Sequence, residues 1–231
     1  MVNNQLIDVV GKELKSIFVK FCGITLLDDA LCVADCGADA VGFITYTESK
    51  RFINLTRIEK IITVLDSRYP KLQRVGVFVN SNLTQIITGV NVGLNAAQLH
   101  GDEEKIFIDE LNSKKSRYNF EIWKVLRDIK KSELEAQNRF NVDKFLIDSF
   151  NKINYGGTGK ICDWNLASKA VTTLKQPLIL AGGLSLENID EAISQVGPFG
   201  VDINSGIETK PGVKDHKKIN QIMKALKFID R

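Results

Sequence analysis

The sequence predicts a (β/α)8 barrel, an α/β fold, on three observations. The chain has 231 residues, within the roughly 200–250 residues typical of a one-domain α/β barrel. Short apolar runs alternate with amphipathic ones eight times along it. Hydrophobic content of 44% with four prolines supplies a sizeable core with few interruptions. An open doubly wound sheet would have fewer strands and a reversal of strand order.

The first unit is a strand over 17–22 and a helix running to Cys36, with Thr25 expected as its N-cap and Gly37 as its stop. Strands over 40–45, 74–80 and 96–100 follow, each leading to a helix, over 55–67, 83–90 and 103–113. The fifth and sixth units pair strands over 121–127 and 144–148 with helices over 131–139 and 163–174, the latter capped by Asp163. The last two pair strands over 177–181 and 200–204 with helices over 185–196 and about 215–229. Pro198 and Pro211 fall between these runs, where a parallel sheet tolerates them. Residues 17–231 are therefore expected to form one domain. Residues 1–16 form an N-terminal extension whose Leu6, Val10 and Leu14 share one helical face, which predicts a helix against the barrel bottom.

A formal net charge of +3 with dispersed basic residues argues against a nucleic-acid partner and fits a small anionic substrate. No apolar run reaches the roughly 18–20 residues that span a bilayer, and residues 1–8 lack the pattern of a secretory leader. A cytoplasmic protein with no membrane partner is expected. Cys22, Cys32, Cys36 and Cys162 form no CxxC pair, so reduced thiols are expected. Cys32 and Cys36 are one helical turn apart, but no neighbouring His or second Cys pair completes a metal site, and none is predicted.

Alternation along a strand puts Lys20 with Cys22, Gln98 with His100, and Leu146 with Asp148 on shared faces. Each pair ends at the carboxyl end of its strand, where barrels present catalytic groups, so Cys22 and Asp148 are the candidate proton-transfer pair. A free thiol titrates near pH 8.5, so thiolate at neutral pH needs a positive field, and Lys20 is a candidate source. Asp202, in strand eight, needs a partner to be buried; because that strand closes on strand one, a Lys20–Asp202 ion pair is expected in the floor. Gly157, Thr158 and Gly159 after strand six, Gly182 and Gly183 after strand seven, and Ser205 and Gly206 after strand eight lie where barrels cradle phosphate with backbone N–H groups. Arg51, after strand two, offers a fork for a carboxylate. His100 is expected in the pocket wall. Taken singly, these residues have plainer roles: a buried small hydrophobe for Cys22, a turn cap for Asp148, tight turns for the glycines, and solvated surface for Arg51.

The ordered set of motifs resembles the phosphoribosylanthranilate isomerase family, TIM-barrel enzymes of tryptophan biosynthesis. It comprises Lys20-Phe21-Cys22-Gly23-Ile24-Thr25, Gly37 to Phe43, Ser49 to Phe52, Val75 to Asn80, Gln98 to Gly101, Gly156 to Lys160 with Asp163-Trp164, Ala181 to Leu184, Val201 to Gly206, and Pro211 to Asp215. The resemblance implies an Amadori rearrangement of N-(5-phosphoribosyl)anthranilate with no cofactor or metal. It implies Asp148 as general acid at the ribose ring oxygen, Cys22 as general base at C2′, and Arg51 on the anthranilate carboxylate. It also implies the glycine-rich strand ends on the phosphate, and an Asp148 that keeps a proton near neutral pH through an upward pKa shift. Departures are Asn204 where a Ser is usual, Ile161-Cys162 before Asp163, and the extension 1–16. The alternatives are a related phosphoribosyl-sugar isomerase of histidine biosynthesis, which resembles a two-carboxylate pattern, and a non-catalytic phosphosugar-binding barrel. A monomer and a homodimer both fit.

Overall fold

Eight parallel strands close on themselves in chain order: β1 (Phe18–Phe21), β2 (Ala40–Ile44), β3 (Gln73–Phe78), β4 (Ala96–Leu99), β5 (Glu121–Leu126), β6 (Lys144–Ile147), β7 (Leu178–Leu180) and β8 (Gly200–Ile203). The computed structural model describes residues 17–149 and 162–227; the expected helix in 1–16 and the loop carrying Gly157, Thr158 and Gly159 lie outside them. Around the barrel run α1 (Leu27–Asp35), α2 (Leu55–Arg68), α3 (Leu83–Asn91), α4 (Lys105–Asn112), α5 (Lys115–Tyr118), α6 (Trp164–Thr173), α7 (Ile189–Val196) and α8 (His216–Lys227).

The two-residue alternation of each strand divides the core. Val19, Phe21, Val41, Phe43, Phe145, Ile147, Val201 and Ile203 face outward and pack with the helices. Ala40, Val75, Ala96, Trp123, Val125, Leu146, Ile179 and Ala181 fill the barrel interior, with Trp123 set among smaller residues. Each large aliphatic side chain buried this way contributes about 1.5–3 kcal/mol.

Three local expectations need correction. Thr25 does not cap α1: its Oγ1 donates to the Gly212 carbonyl at 2.5 Å, and Leu26 stands at the N-cap with no side-chain bond. A long-range partner outcompetes the local cap. Residues 131–139 form two 3-10 turns, Lys131–Glu133 and Glu135–Arg139, rather than an α-helix. Leu134 is the buried apolar residue of that charged stretch, too little to hold a helical face, and Glu133 turns back to the Lys130 N–H at 3.0 Å. The helix expected from 185 begins at Ile189, because Asn188 ties the preceding loop together through the Ser185 N–H and the Gly183 carbonyl, each at 2.9 Å.

After β8 a 3-10 turn, Ser205–Ile207, leads into a small antiparallel hairpin of β9 (Glu208–Lys210) and β10 (Val213–Lys214). Pro211-Gly212 makes its tip, with Gly212 at φ +81°, as the third position of a type II turn requires. Among the described residues no helix is long and apolar enough to cross a membrane.

Candidate active site

The floor is set by the register of β1 against β8, which places Lys20 opposite Asp202. Lys20 is wholly buried and its Nζ donates to Asp202 Oδ2 at 2.7 Å, the ion pair expected from the sequence. Gly42 on β2 makes room for it: a Cβ there would lie 2.7 Å from Cys22 Sγ and 3.0 Å from Lys20 Nζ. Lys20 lies beneath the cavity rather than in its wall, the floor position expected for it. Burial works against its charge, but Asp202 and Cys22 raise its pKa overall. The second oxygen of Asp202, Oδ1, is buried and meets no hydrogen-bond partner among the described residues.

Above this floor, at the carboxyl ends of the strands, Cys22, Arg51, His100, Asp148, Asp202 and Ser205 line one cavity together with Gly182 and Gly183. Burial, reinforced by the charge of Asp202, pushes the Asp148 carboxyl up to about 6, even though the Ser149 N–H donates to Oδ1 at 2.7 Å. Gly182 lets β7 approach that carboxylate: its φ is +89°, and a Cβ would lie 2.6 Å from the Ser149 nitrogen and 3.0 Å from Asp148 Oδ1. Burial also pushes the Cys22 thiol above its ordinary value, and this outweighs the opposing pull of Lys20. The expected thiolate-generating field of Lys20 is thus insufficient, because burial of the thiol outweighs it and Asp202 offsets part of it.

His100 is held neutral, its pKa lowered to about 3 by burial and by the charges of Arg127, Lys20 and Lys124. Its Nδ1 meets Gln98 Nε2 at 3.3 Å, while Nε2 lies 3.7 Å from Asp148 Oδ2, beyond hydrogen-bond length. His100 Nε2, Gln98 Oε1 and Asp202 Oδ1 are therefore three buried polar atoms without hydrogen-bond partners among the described residues, on three residues that line one cavity. Such groups call for a polar ligand.

Arg51 is not solvated surface. It is nearly buried and lies in a fork with Glu208 of β9, a residue that sequence reasoning passed over together with the hairpin that carries it. The Pro211-Gly212 turn signalled a hairpin, but nothing local signalled where it docks. Gly206 lies outside the cavity wall; a Cβ there would sit 2.1 Å from the Leu184 carbonyl oxygen, so it lets the loops after β7 and β8 touch. His216 does share a surface pocket with Cys32 and Cys36, but its Nε2 is on Asp29 Oδ1 at 2.8 Å, and no group of three metal-ligating side chains forms among the described residues.

Residues 19–225 match the family model of N-(5′-phosphoribosyl)anthranilate (PRA) isomerase. The chain belongs to the PRA isomerase family. A PRA isomerase from Geotalea uraniireducens is 39% identical over 210 residues, covering 90% of this chain and 98% of the relative. Monomers generated from the dimeric PRA isomerase of Thermotoga maritima superpose with a TM-score of 0.78 at 34% identity, covering 92% of this chain and all of theirs. A PRA isomerase in complex with reduced 1-(o-carboxyphenylamino)-1-deoxyribulose 5-phosphate superposes with a TM-score of 0.77, also at 34% identity, covering 92% of this chain and 100% of the relative. The closed eight-stranded barrel is thus the PRA isomerase fold.

Proposed function

We propose that this chain converts N-(5-phosphoribosyl)anthranilate to 1-(2-carboxyphenylamino)-1-deoxyribulose 5-phosphate, the Amadori step of tryptophan biosynthesis, without a cofactor. The observation that carries this reading is the pairing of Cys22 with Asp148 in one cavity, where burial pushes the Asp148 pKa up to about 6. Family membership supports the same reaction.

Asp148 is the general acid. It protonates the ribose ring oxygen as the C1′–O bond breaks, and the aryl nitrogen lone pair forms the iminium. A substrate carrying phosphate and carboxylate brings negative charge into the site, which raises the Asp148 pKa further toward working pH. Cys22 is the general base. Its proton is held tightly at rest by burial, and the iminium supplies the positive charge that Lys20 alone does not. The thiol passes its proton to the Asp148 carboxylate that ring opening leaves, the resulting thiolate takes the C2′ proton, and the released electron pair forms C1′=C2′ and neutralises the nitrogen. Ketonisation of the resulting enol places a hydrogen on C1′ and completes an isomerisation with no net redox change.

Arg51 holds the anthranilate carboxylate, and backbone donors at Gly182, Gly183 and Ser205, with Gly206 bracing their loops, hold the phosphate together with the segment Gly157, Thr158 and Gly159. Neutral His100, with Gln98 and Asp202, offers the ribose hydroxyls one donor and two acceptors. A base that must remain a free thiol suits the reducing cytoplasm. A carboxylate in place of Cys22 would favour the sister isomerase of histidine biosynthesis; the thiol favours PRA.

The test is the loss of PRA fluorescence, with substrate made in situ from ribose 5-phosphate and anthranilate. Decay proportional to protein concentration is expected. A rate no faster than the buffer control would contradict the reading.

A further inference from the structure

Glu208 grips Arg51 along one edge: Nε donates to Oε1 at 2.9 Å and to Oε2 at 3.1 Å, and Nη2 donates to Oε2 at 2.7 Å. The same carboxylate accepts from Lys214 Nζ and from the Gly212 N–H, each at 3.0 Å. Lys214, its side chain fully buried, also donates to Asn204 Oδ1 at 2.9 Å. Loops after β1, β2 and β8 converge here: a Cβ on Gly23 would lie 2.7 Å from Asn204 Oδ1 and 2.8 Å from Arg51 Cδ.

Two consequences follow for what the mouth can bind. A guanidinium held through Nε and Nη2 keeps Nη1, which makes no hydrogen bond among the described residues, for a ligand in the cavity that Arg51 lines. Two cations, Arg51 and Lys214, share the single anion Glu208, so this nearly buried cluster is one negative charge short of neutrality. Asn204 reaches Lys214 without adding charge, which preserves that deficit.

We propose that Glu208 is the positioning residue of the carboxylate subsite: it aims the free edge of Arg51 and, by sharing itself with Lys214, leaves room for one more anion, so the site selects a substrate bearing one aryl carboxylate. This rests on the PRA isomerase reading and deepens it. Glu208 acts through Arg51 and touches no reacting atom.

The experiment compares kcat/KM for N-(5-phosphoribosyl)anthranilate with that for N-(5-phosphoribosyl)aniline, both formed in situ from ribose 5-phosphate and the aryl amine. Wild type is expected to prefer the anthranilate substrate by roughly 10- to 100-fold, the scale of one charge-assisted carboxylate pair. In Glu208→Ala that preference should collapse about tenfold or more, through a raised KM for the anthranilate substrate and a much smaller change for the aniline one. Lys214→Met, which removes one cation and keeps the Arg51–Glu208 fork, should also reduce the preference. Glu208→Gln, able to keep one acceptor on Arg51, should fall between wild type and alanine, and it replaces the alanine variant if that one fails to fold. Equal losses on both substrates, or an unchanged preference, would reduce Glu208 to a structural brace and overturn the proposal. A wild type that turns over both substrates without preference would overturn the subsite alone, whereas a wild type inactive on both would sink the activity reading as well.

Discussion

The two mouths of this barrel are built from the same strands and treat buried charge in opposite ways. At the amino-terminal mouth, Glu121 of β5 accepts from Gln73 Nε2 at 2.8 Å, from Trp123 Nε1 at 2.7 Å and from Lys144 Nζ. Lys144 also lies over the Trp123 ring, 5.0 Å from its centroid, and Phe18 stacks on Phe199 and meets Trp123 edge-on. Burial opposes the charge of Glu121, but these donors hold its pKa below the ordinary value. At the carboxyl mouth, Asp148 is pushed up to about 6, and Gln98, His100 and Asp202 each leave a buried polar atom without a hydrogen-bond partner among the described residues. The Glu121 cluster satisfies its polar groups internally; Gln98, His100 and Asp202 keep theirs for a ligand, at a cost in stability.

The largest effect on the fold is expected from the floor. Asp202→Ala leaves Lys20 wholly buried without its partner and should destabilise the protein by about 3–5 kcal/mol in denaturant unfolding. A loss below about 1 kcal/mol would mean that water reaches Lys20 and that the floor is not the dry element described.

Asp148→Asn should act in the opposite direction. The folded pKa of Asp148 lies above its unfolded value, so the native state binds this proton more tightly. Stability therefore falls as pH rises from about 4 to about 6, and above that the ionised carboxylate costs about 3 kcal/mol. The variant should be more stable than wild type near pH 8 and indistinguishable from it near pH 3, when the two are unfolded side by side. A variant less stable at pH 8 would show that the carboxylate is well satisfied and that the two mouths do not differ in this respect.

Glu121→Gln should give the smallest change. Glu121 is about one-third exposed, so the loss should be near 1 kcal/mol. A depressed carboxylate stabilises above its unfolded pKa and loses that contribution as pH falls through its folded value, the reverse of Asp148. Turnover should match wild type, and a drop in kcat would tie the two mouths together.

Much of this was legible in the sequence because it depends on alternation. Once eight βα units are counted, strand eight must meet strand one, and the two-residue period then points Lys20, Cys22 and Asp202 inward. The Lys20–Asp202 pair follows; the raised pKa of Asp148 came instead from what the family resemblance implies for a general acid. Contacts between loops carry no such period. Arg51 and Glu208 are 157 residues apart, joined by a hairpin whose turn is readable but whose docking against the loop after β2 depends on Gly23 allowing close approach. Thr25 shows the same limit: its local pattern reads as a cap, and the Gly212 carbonyl of that hairpin takes its hydroxyl instead. The Cys22 thiol was misjudged because the sign of its environment depends on the balance between burial and a lysine whose charge Asp202 offsets in part.

The most direct measurement is steady-state turnover of PRA by wild type, Cys22→Ala, Asp148→Ala and Glu121→Gln in parallel, with folding checked by circular dichroism. Each of the two carboxyl-mouth variants should lose roughly two to four orders of magnitude in kcat while remaining folded, and Glu121→Gln should keep the wild-type rate. Near-normal turnover by folded Cys22→Ala or Asp148→Ala would contradict the assignment of proton transfer to that pair.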